Sequence, residues 1–342
     1  MACRSLPSSR MDAPVGNAAG GLSGVDAQLY LHPQTLARLG SLELRAKAIV
    51  EGVMSGAHKS PYQGSSVEFA QHRAYAQGDD LRRLDWKVFG RTDKLHIKQY
   101  RQETNLDLVL LVDSSGSMRY GSRTFGEASG EGAKAALDGR TNWSKFDHAT
   151  AVAAAMASIS LKQGDRVGVV VYADEVRRWV RPSSAPGTWR QIVGALATSP
   201  IEKPTNLGRA VDQVLGKLSG RCLVVVISDL FQDAEEIRAA LARLKFRGHD
   251  AIIVEVLDRQ EREFDLRDEL PLLGLEGEQE IKVDPRAIRK EYLAALERHL
   301  DEVGRVTRGM GFDYMVVSTH DWLGPPLSAF LASRQAKMKK RH

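Results

Sequence analysis

The feature that most constrains the fold is a continuous apolar run, Leu108–Val112, that ends directly in a carboxylate, Asp113. An apolar run of this length without alternation predicts a strand covered on both faces, as in a parallel sheet. Ser115 and Ser117 follow at alternate positions, with Gly116 between them. These polar residues therefore fall at the carboxyl end of a buried strand, where open α/β sheets bind their ligands.

One carboxylate and two hydroxyls form a set of hard oxygen donors, which suits Mg²⁺ or Mn²⁺ and suits soft metals poorly. The Asp-x-Ser-x-Ser pattern also has a plainer explanation, because Asp, Ser and Gly are the usual residues of a strand-to-loop turn. The short motif alone does not decide between a metal site and a turn.

Two later stretches favour a site. Thr205 lies in a loop before a helical pattern, and a second apolar run, Leu223–Ile227, leads through Ser228 to Asp229. Since parallel strands have their carboxyl ends at one edge of a sheet, both carboxylates and the threonine can converge there. Thr205 also has an alternative role as the N-cap of the following helix, where threonine is common.

At these positions the chain resembles the von Willebrand factor A fold. In that fold an Asp-x-Ser-x-Ser motif, a threonine from a second loop and an aspartate from a third form a metal-ion-dependent adhesion site. The matching residues here are Asp113, Ser115, Ser117, Thr205 and Asp229. The resemblance implies that the hydroxyls coordinate Mg²⁺ or Mn²⁺, that the carboxylates act largely through water, and that a partner's Asp or Glu completes the shell.

A second block of sequence points to a more specific family. Residues 75–87 read Tyr-Ala-Gln-Gly-Asp-Asp-Leu-Arg-Arg-Leu-Asp-Trp-Lys. With an A-type domain following directly, this block is similar to the bacterial family called domain of unknown function fifty-eight, over about residues 46–334. Genes of that family often lie beside genes for MoxR-type AAA+ ATPases. The resemblance therefore implies an adaptor or chaperone-like partner of such an ATPase.

The alternation of helical and strand patterns predicts an α/β fold with a doubly wound, mostly parallel sheet of the Rossmann type. Helices are predicted at 145–163, 188–196, 207–218, 234–246, 286–308 and 323–333, and strands at 106–112, 167–172, 176–180, 221–228, 250–257 and 312–318. We divide the chain into a disordered N-terminal tail (1–35), a family-specific segment packing on the core (36–104), a von Willebrand factor A-like domain (105–334) and a basic tail (335–342).

Composition limits the classes of partner and compartment. The net charge of +5 with 27% charged residues is mildly basic, and lacks the concentrated positive field of a nucleic-acid binder. No apolar run approaches the roughly 18 residues of a membrane helix, and the N-terminus has no secretory signal pattern. Two cysteines, Cys3 and Cys222, form no disulfide framework. We therefore expect a cytoplasmic protein that binds no nucleic acid and has no membrane span.

Three stretches allow both a functional and a structural interpretation. The basic block 70–101 is either a partner surface or an internally paired buttress, and interleaved Asp and Arg residues favour the buttress, with Trp86 as a core anchor. The insertion 119–142 either hangs over the metal motif or is disordered, and its composition favours disorder. The acidic stretch 258–285 shows no ligand spacing, which favours a solvated connector.

Two functions of different classes remain open. The first is a metal-dependent protein-interaction module, and the second is a metal-dependent phosphoester hydrolase with Asp113 as nucleophile or ligand. The chain lacks a second aspartate two positions after Asp113, a G-x-x-x-x-G-K-[ST] phosphate loop and a histidine pair. His148 is predicted on the next helix rather than beside the motif. We therefore expect no enzymatic activity.

Overall fold

The computed structural model describes residues 46, 50, 69–74, 85–100, 107–124, 142–266, 271–272, 274–277, 281–282, 284–321, 323–324 and 326–330. The predicted tails (1–35 and 335–342) and residues 125–141 of the predicted insertion lie outside the described residues.

The described strands and helices follow one another as an α/β chain. The strands are β1 (Phe69–Ala74), β2 (His96–Tyr100), β3 (Asp107–Asp113), β4 (Arg123–Thr124), β5 (Asn142–Trp143), β6 (Arg166–Tyr172), β7 (Val176–Ser183), β8 (Cys222–Ser228), β9 (Asp250–Leu257), β10 (Pro271–Leu272), β11 (Ile281–Lys282) and β12 (Asp313–Ser318). The helices are α1 (Trp86–Thr92), α2 (Lys145–Lys162), α3 (Thr188–Leu196), α4 (Leu207–Leu215), α5 (Ala234–Phe246), α6 (Arg259–Glu263) and α7 (Pro285–Gly309). Residues 326–330 are also helical.

Six strands form the main sheet, in the spatial order β12–β9–β8–β3–β6–β7. The first five run parallel, and β7 returns antiparallel to β6 at the edge. This arrangement, with helices on both faces, confirms the predicted α/β, doubly wound, mostly parallel class.

The core lies in two apolar clusters, one on each face of the sheet. Leu108, Leu110 and Val112 of β3 pack in a cluster with α2 and α3 residues, whereas Val109 and Leu111 pack with residues of α4 and α5. Alternate side chains of β3 therefore enter opposite clusters. This two-sided burial explains why the apolar run of β3 is continuous rather than alternating.

The N-terminal part contributes a helix contact and a hairpin. Ala46 and Val50 are helical and buried in the same cluster as α2. β1 and β2 pair as a two-stranded antiparallel sheet, and α1 lies between them in the sequence.

The expectation that Trp86 anchors the core is wrong, since its side chain is 66% exposed. Trp86 is the first residue of α1, a seven-residue helix with no buried residues, and its ring meets Phe89 edge-on at 6.1 Å between centroids. The Asp85 side chain accepts from the Lys87 and Val88 amides and caps the start of this helix.

Within the described residues, no helix has both the length and the apolar character required to cross a membrane.

Candidate metal centre

The candidate site lies at the carboxyl edge of the sheet, where β3 and its neighbour β8 both end. Asp113 is the last residue of β3, and Asp229 directly follows Ser228, the last residue of β8. The two strands are parallel and paired, with Val112 opposite Ile227. The edge therefore brings together the two carboxylates that the sequence places at separate strand ends.

Backbone hydrogen bonds hold the Thr205 loop against the Asp-x-Ser-x-Ser loop. The Ile201 amide donates to the Ser114 carbonyl at 2.9 Å, and the Gly116 amide donates to the Lys203 carbonyl at 3.0 Å. The Asn206 amide in turn donates to the Ala173 carbonyl at 2.8 Å, beyond the end of β6. These contacts place Thr205 beside Asp113.

Asp113 is fully buried and is the centre of the hydrogen bonding. Its Oδ2 accepts from the Thr205 hydroxyl at 2.7 Å and from the Ser228 hydroxyl at 2.6 Å, and its Oδ1 accepts from the Ser115 amide at 2.8 Å. Burial, reinforced by the charge of Asp229, raises the pKa of Asp113 to about 6 despite these three hydrogen bonds. A cation beside Asp113 would relieve this cost of ionisation.

The remaining predicted ligands lie around the same point. The Ser115 and Ser117 hydroxyl oxygens are 3.1 Å apart. Asp229 is fully buried, and among the described residues its Oδ1 has no hydrogen-bond partner. A buried carboxylate oxygen without a donor is costly, and a metal-bound water is one group that can satisfy it.

The alternative role of Thr205 as a helix cap is wrong. The N-cap of α4 is Asn206, whose side chain accepts from the Arg209 amide at 2.8 Å. The Thr205 hydroxyl is thereby left to Asp113. Ser228 is not among the predicted site residues, although a polar residue that ends an apolar strand beside Asp229 is a local signal of the same kind.

A buried lysine that the sequence analysis did not identify neutralises the other side of the site. Lys145 is fully buried, and its ammonium donates to Asp229 Oδ2 at 2.8 Å and to Glu261 Oε1 at 2.6 Å. It also lies 5.0 Å from the centre of the Phe231 ring. Burial disfavours the charged ammonium, but the two carboxylates outweigh it and raise the pKa of Lys145. Lys145 is therefore a fixed positive charge at this edge.

The expectation of a solvated connector at 258–285 is wrong at its start. Asp258 is fully buried and accepts from the Ser122 and Thr319 hydroxyls, which ties the loop after the metal motif to the ends of β9 and β12. Glu261 completes a capping box with Asp258 at the start of α6 and reaches Lys145. Asp258 is fully buried and Glu261 is half-buried because hydroxyls and an ammonium compensate their charges.

The backbone after Asp229 is strained. Leu230 is fully buried with φ of 53°, in the left-handed region that leucine rarely adopts. Its amide donates to the Ser228 hydroxyl at 3.0 Å, and its carbonyl lies 3.0 Å from His299 Nε2. The turn that directs Asp229 into the site is thus held by contacts of both the amide and the carbonyl of Leu230.

Residues 274–277 form the described tip of the β10–β11 hairpin. This tip lies against the serine loop, which comprises Ser115, Gly116 and Ser117. A Cβ built on Gly116 would overlap the carbonyl oxygen of Leu275 and would lie 2.7 Å from its carbonyl carbon. The amide of Ser117 donates to Glu276 Oε1 at 3.3 Å. An acidic side chain of the same chain therefore lies at the mouth of the site.

The donor set fits a hard divalent cation. Three hydroxyls and the carboxylates Asp113 and Asp229 are oxygen donors, which Mg²⁺ and Mn²⁺ prefer. In the described part of the chain no three His, Cys, Asp or Glu side chains cluster closely enough to hold a metal. A cation at this edge would therefore depend on the hydroxyls, with Ser115, Ser117 and Thr205 as the residues that hold it.

His148, which follows the motif in sequence, is fully buried on α2. Burial, together with Arg123 and His320, lowers the pKa of His148 to about 3. Its imidazole is therefore neutral near pH 7 and enclosed within the helix packing.

The family model described as protein of unknown function DUF58 matches residues 71–302. The chain belongs to the DUF58 family. The resemblance seen in residues 75–87 and in the domain that follows is thereby confirmed.

Curated proteins similar to this DUF58 chain carry names that call them uncharacterized. The chain is 29% identical over 313 residues to the uncharacterized proteins Mb1516 of Mycobacterium bovis and Rv1480 of Mycobacterium tuberculosis. Each alignment covers 89% of this chain and 90% of the relative.

Solved structures similar to this DUF58 chain include three with low sequence identity. They are the conserved hypothetical protein BatB from Bacteroides thetaiotaomicron (16% identity, TM-score 0.40, 69% of this chain and 99% of that chain), an aerotolerance-related membrane protein from Bacteroides fragilis (15%, 0.41, 66% and 96%) and the SpRpn10 VWA domain (11%, 0.35, 65% and 93%). These TM-scores are low, and the fold assignment rests on the sheet order described above.

Proposed function

We propose that this DUF58 chain is a metal-dependent protein-interaction module that binds Mg²⁺ or Mn²⁺ through Ser115, Ser117 and Thr205. Asp113 and Asp229 would act largely through water. The metal would supply an electrophilic position for a carboxylate of a partner protein. The observation that carries the proposal is the buried Asp229 Oδ1, which has no partner among the described residues and lies at the edge where Asp113 and the hydroxyls converge.

The charge balance of the site favours an external carboxylate. Asp229 already shares its charge with Lys145, and Asp113 is engaged by Thr205 and Ser228. A divalent cation held mainly by neutral hydroxyls keeps much of its charge, and Mg²⁺ normally keeps several waters. Replacement of one such water by a partner's Asp or Glu compensates this charge. The chemistry thus suits binding of an acidic partner.

The direct test is calorimetric titration of Mg²⁺ and Mn²⁺ into the metal-free full chain. We expect binding by the wild type, loss of binding in Asp113→Ala, and unchanged binding in the matched control Asp301→Asn, whose side chain is exposed on α7. Absence of binding in the wild type at millimolar metal would contradict the proposal.

We further propose that the partner is a MoxR-type AAA+ ATPase and that the chain acts as its adaptor in the cytoplasm. Family membership, with the gene neighbourhood noted above, motivates this choice, and the free, buried Cys222 is compatible with a reducing compartment. Purified full chain should bind the MoxR-type ATPase of the same genome in Mg²⁺ and release it in EDTA. Equal binding by wild type and Thr205→Val would show that the metal centre is not the contact.

We propose that the module binds its partner without catalysing a reaction on it. His148 is buried and neutral, and Lys145 is held between two carboxylates, so neither is poised as a base or nucleophile. Turnover of an aryl phosphate by the full chain with Mg²⁺ is expected to stay at the buffer rate. Mg²⁺-dependent turnover that disappears in Asp113→Ala would instead establish the hydrolase.

A further inference from the structure

The hairpin tip lies so close to the metal motif that only glycine, which has no Cβ, fits at position 116. Gly116 has φ of −61° and ψ of −41°, a right-handed conformation that any residue adopts. Backbone conformation therefore does not require glycine there. The missing Cβ is required because the Leu275 carbonyl occupies its place, and the Glu276 Cγ would lie 3.1 Å from it.

The hairpin also brings a charge of the sign that the site is proposed to bind. Glu276 Oε1 accepts from the amide of Ser117, whose own hydroxyl is one of the candidate ligands. Glu276 is separated from Ser117 by 159 positions, so this contact is tertiary and not a product of local turn chemistry. Gly277, with φ of 101°, turns the chain directly after the carboxylate.

The hairpin itself has a small hydrogen-bonded base. In the part of the hairpin that the structure describes, β10 and β11 pair through Pro271 with Lys282 and Leu272 with Ile281, as a two-stranded unit separate from the six-stranded sheet. A two-stranded hairpin of this size has little stability of its own. Among the described residues, the approach of Leu275 to Gly116 and the hydrogen bond of Glu276 hold it over the loop of Ser115–Ser117.

We infer that the β10–β11 tip is a built-in stand-in ligand of the metal centre, and that the partner segment which replaces it is an acidic turn of the same chemistry. Such a turn lays a backbone carbonyl against Gly116 and places the next side chain, a carboxylate, at Ser117. This inference rests on the proposed metal-dependent function and names the class of segment that the site accepts. Removal of the tip is then a condition for partner binding.

The contact of Leu275 with Gly116 is tested without metal, by hydrogen exchange of the full chain in peptides spanning residues 271–282. Gly116→Ala is expected to accelerate exchange there at least threefold, because the new methyl group displaces the Leu275 carbonyl. The matched control is Gly194→Ala, where an added Cβ meets no atom within 4 Å, and it should leave this region unchanged. Exchange in 271–282 that is the same in Gly116→Ala and in wild type overturns the inference.

The ligand role is tested by Mg²⁺ titration, which does not depend on Gly116→Ala folding. Glu276→Gln is expected to bind Mg²⁺ at least fivefold more weakly than wild type, whereas Glu236→Gln, exposed on α5, should match wild type. A synthetic peptide of residues 271–282 should restore the affinity of Glu276→Gln, and the same peptide carrying Gln in place of Glu276 should not. Linkage requires that a carboxylate which binds with the metal also tightens the metal.

The outcomes separate the two proposals. If wild type and Glu276→Gln bind Mg²⁺ equally, the stand-in role is overturned while the metal-dependent module stands. If the peptide fails to restore Mg²⁺ affinity in Glu276→Gln, the acidic-turn partner is likewise overturned. If no form of the chain binds Mg²⁺, the proposed function fails and the ligand role fails with it, whatever the exchange of 271–282 shows.

Discussion

At the scale of single residues, the sheet edge is organised by charge compensation in a buried environment. Asp229 and Glu261 share the one ammonium of Lys145, and Asp113 relies on hydroxyls and an amide. A buried carboxylate without such partners costs far more than one that is hydrogen-bonded. The site therefore stores an unbalanced negative charge that a divalent cation can offset.

Lys145→Met should destabilise the metal-free chain by about 3–5 kcal/mol, because it leaves the buried Asp229 and the half-buried Glu261 without their ammonium. The measurement is urea unfolding at pH 7 in EDTA. Lys162→Met, on the exposed end of the same helix, is the control and should change stability by less than about 0.5 kcal/mol. A loss in Lys145→Met no larger than in this control would show that the triad is not coupled to folding.

Glu255, which lies beneath the site, should make the stability of the folded chain depend on pH. It is fully buried on β9, Tyr314 donates to its Oε2 at 2.5 Å, and burial raises its pKa to about 8. Between pH 5 and 8 the folded chain keeps a proton on Glu255 that the unfolded chain has lost, so stability falls as the pH rises. Above pH 8 the full cost of a buried carboxylate is present.

Glu255→Gln should remove most of this decline, which amounts to roughly 2–4 kcal/mol between pH 5 and 8. The check is urea unfolding of both proteins across that pH range in EDTA. Parallel curves for wild type and Glu255→Gln would assign the pH dependence to other groups.

At the scale of helices, strands and loops, adjacent residues of one loop have different structural roles. Asn206 caps α4, whereas Thr205, one position earlier, turns its hydroxyl to Asp113. The capping box of α2, formed by Ser144 and Asp147, likewise sets the helix start so that Lys145 enters the core. Helix ends therefore position the site as directly as strand ends do.

Asn206→Ala should cost about 1 kcal/mol of stability through loss of the cap and leave Mg²⁺ affinity unchanged. Thr205→Val, which preserves side-chain shape, should weaken Mg²⁺ binding at least tenfold. Unfolding curves and Mg²⁺ titration on the same samples separate the two effects. If both variants lose Mg²⁺ affinity equally, the loop as a whole matters and the Thr205 hydroxyl is not a ligand.

At the scale of the whole molecule, a cation at the junction of β3, β8 and the Thr205 loop would join parts of the chain that are distant in sequence. A ligand that binds the folded state alone stabilises it by mass action, by about 2.7 kcal/mol at one hundred times its dissociation constant. For a domain of this size each kcal/mol raises Tm by about 2–4 °C.

We therefore expect saturating Mg²⁺ to raise the Tm of the wild type by about 5–10 °C relative to EDTA. Thermal unfolding followed by circular dichroism measures the shift. Asp113→Ala should show no such shift, and Asp301→Asn should show all of it. An equal Mg²⁺ effect in all three proteins would point to binding elsewhere on the surface.

Much of the fold and most of the candidate site could be predicted from local patterns. The continuous run ending in Asp113 predicts a buried parallel strand, and the run ending in Asp229 predicts a second one, because burial on both faces removes polar alternation. The five candidate site residues follow from the same strand ends and from the Thr205 loop. Trp86 shows the limit of this reasoning, since composition alone does not say which side of a short helix meets the core.

The sequence by itself determined the α/β class, the strand ends that carry Asp113 and Asp229, and the family to which the chain belongs. Only the tertiary structure decided that Lys145 meets Asp229 across 84 positions and that Glu276 reaches Ser117 across 159. The physical reason is that strand and helix patterns arise from neighbours along the chain. Pairing of buried charges depends instead on strand order and on how helices and hairpins dock, to which no local pattern refers.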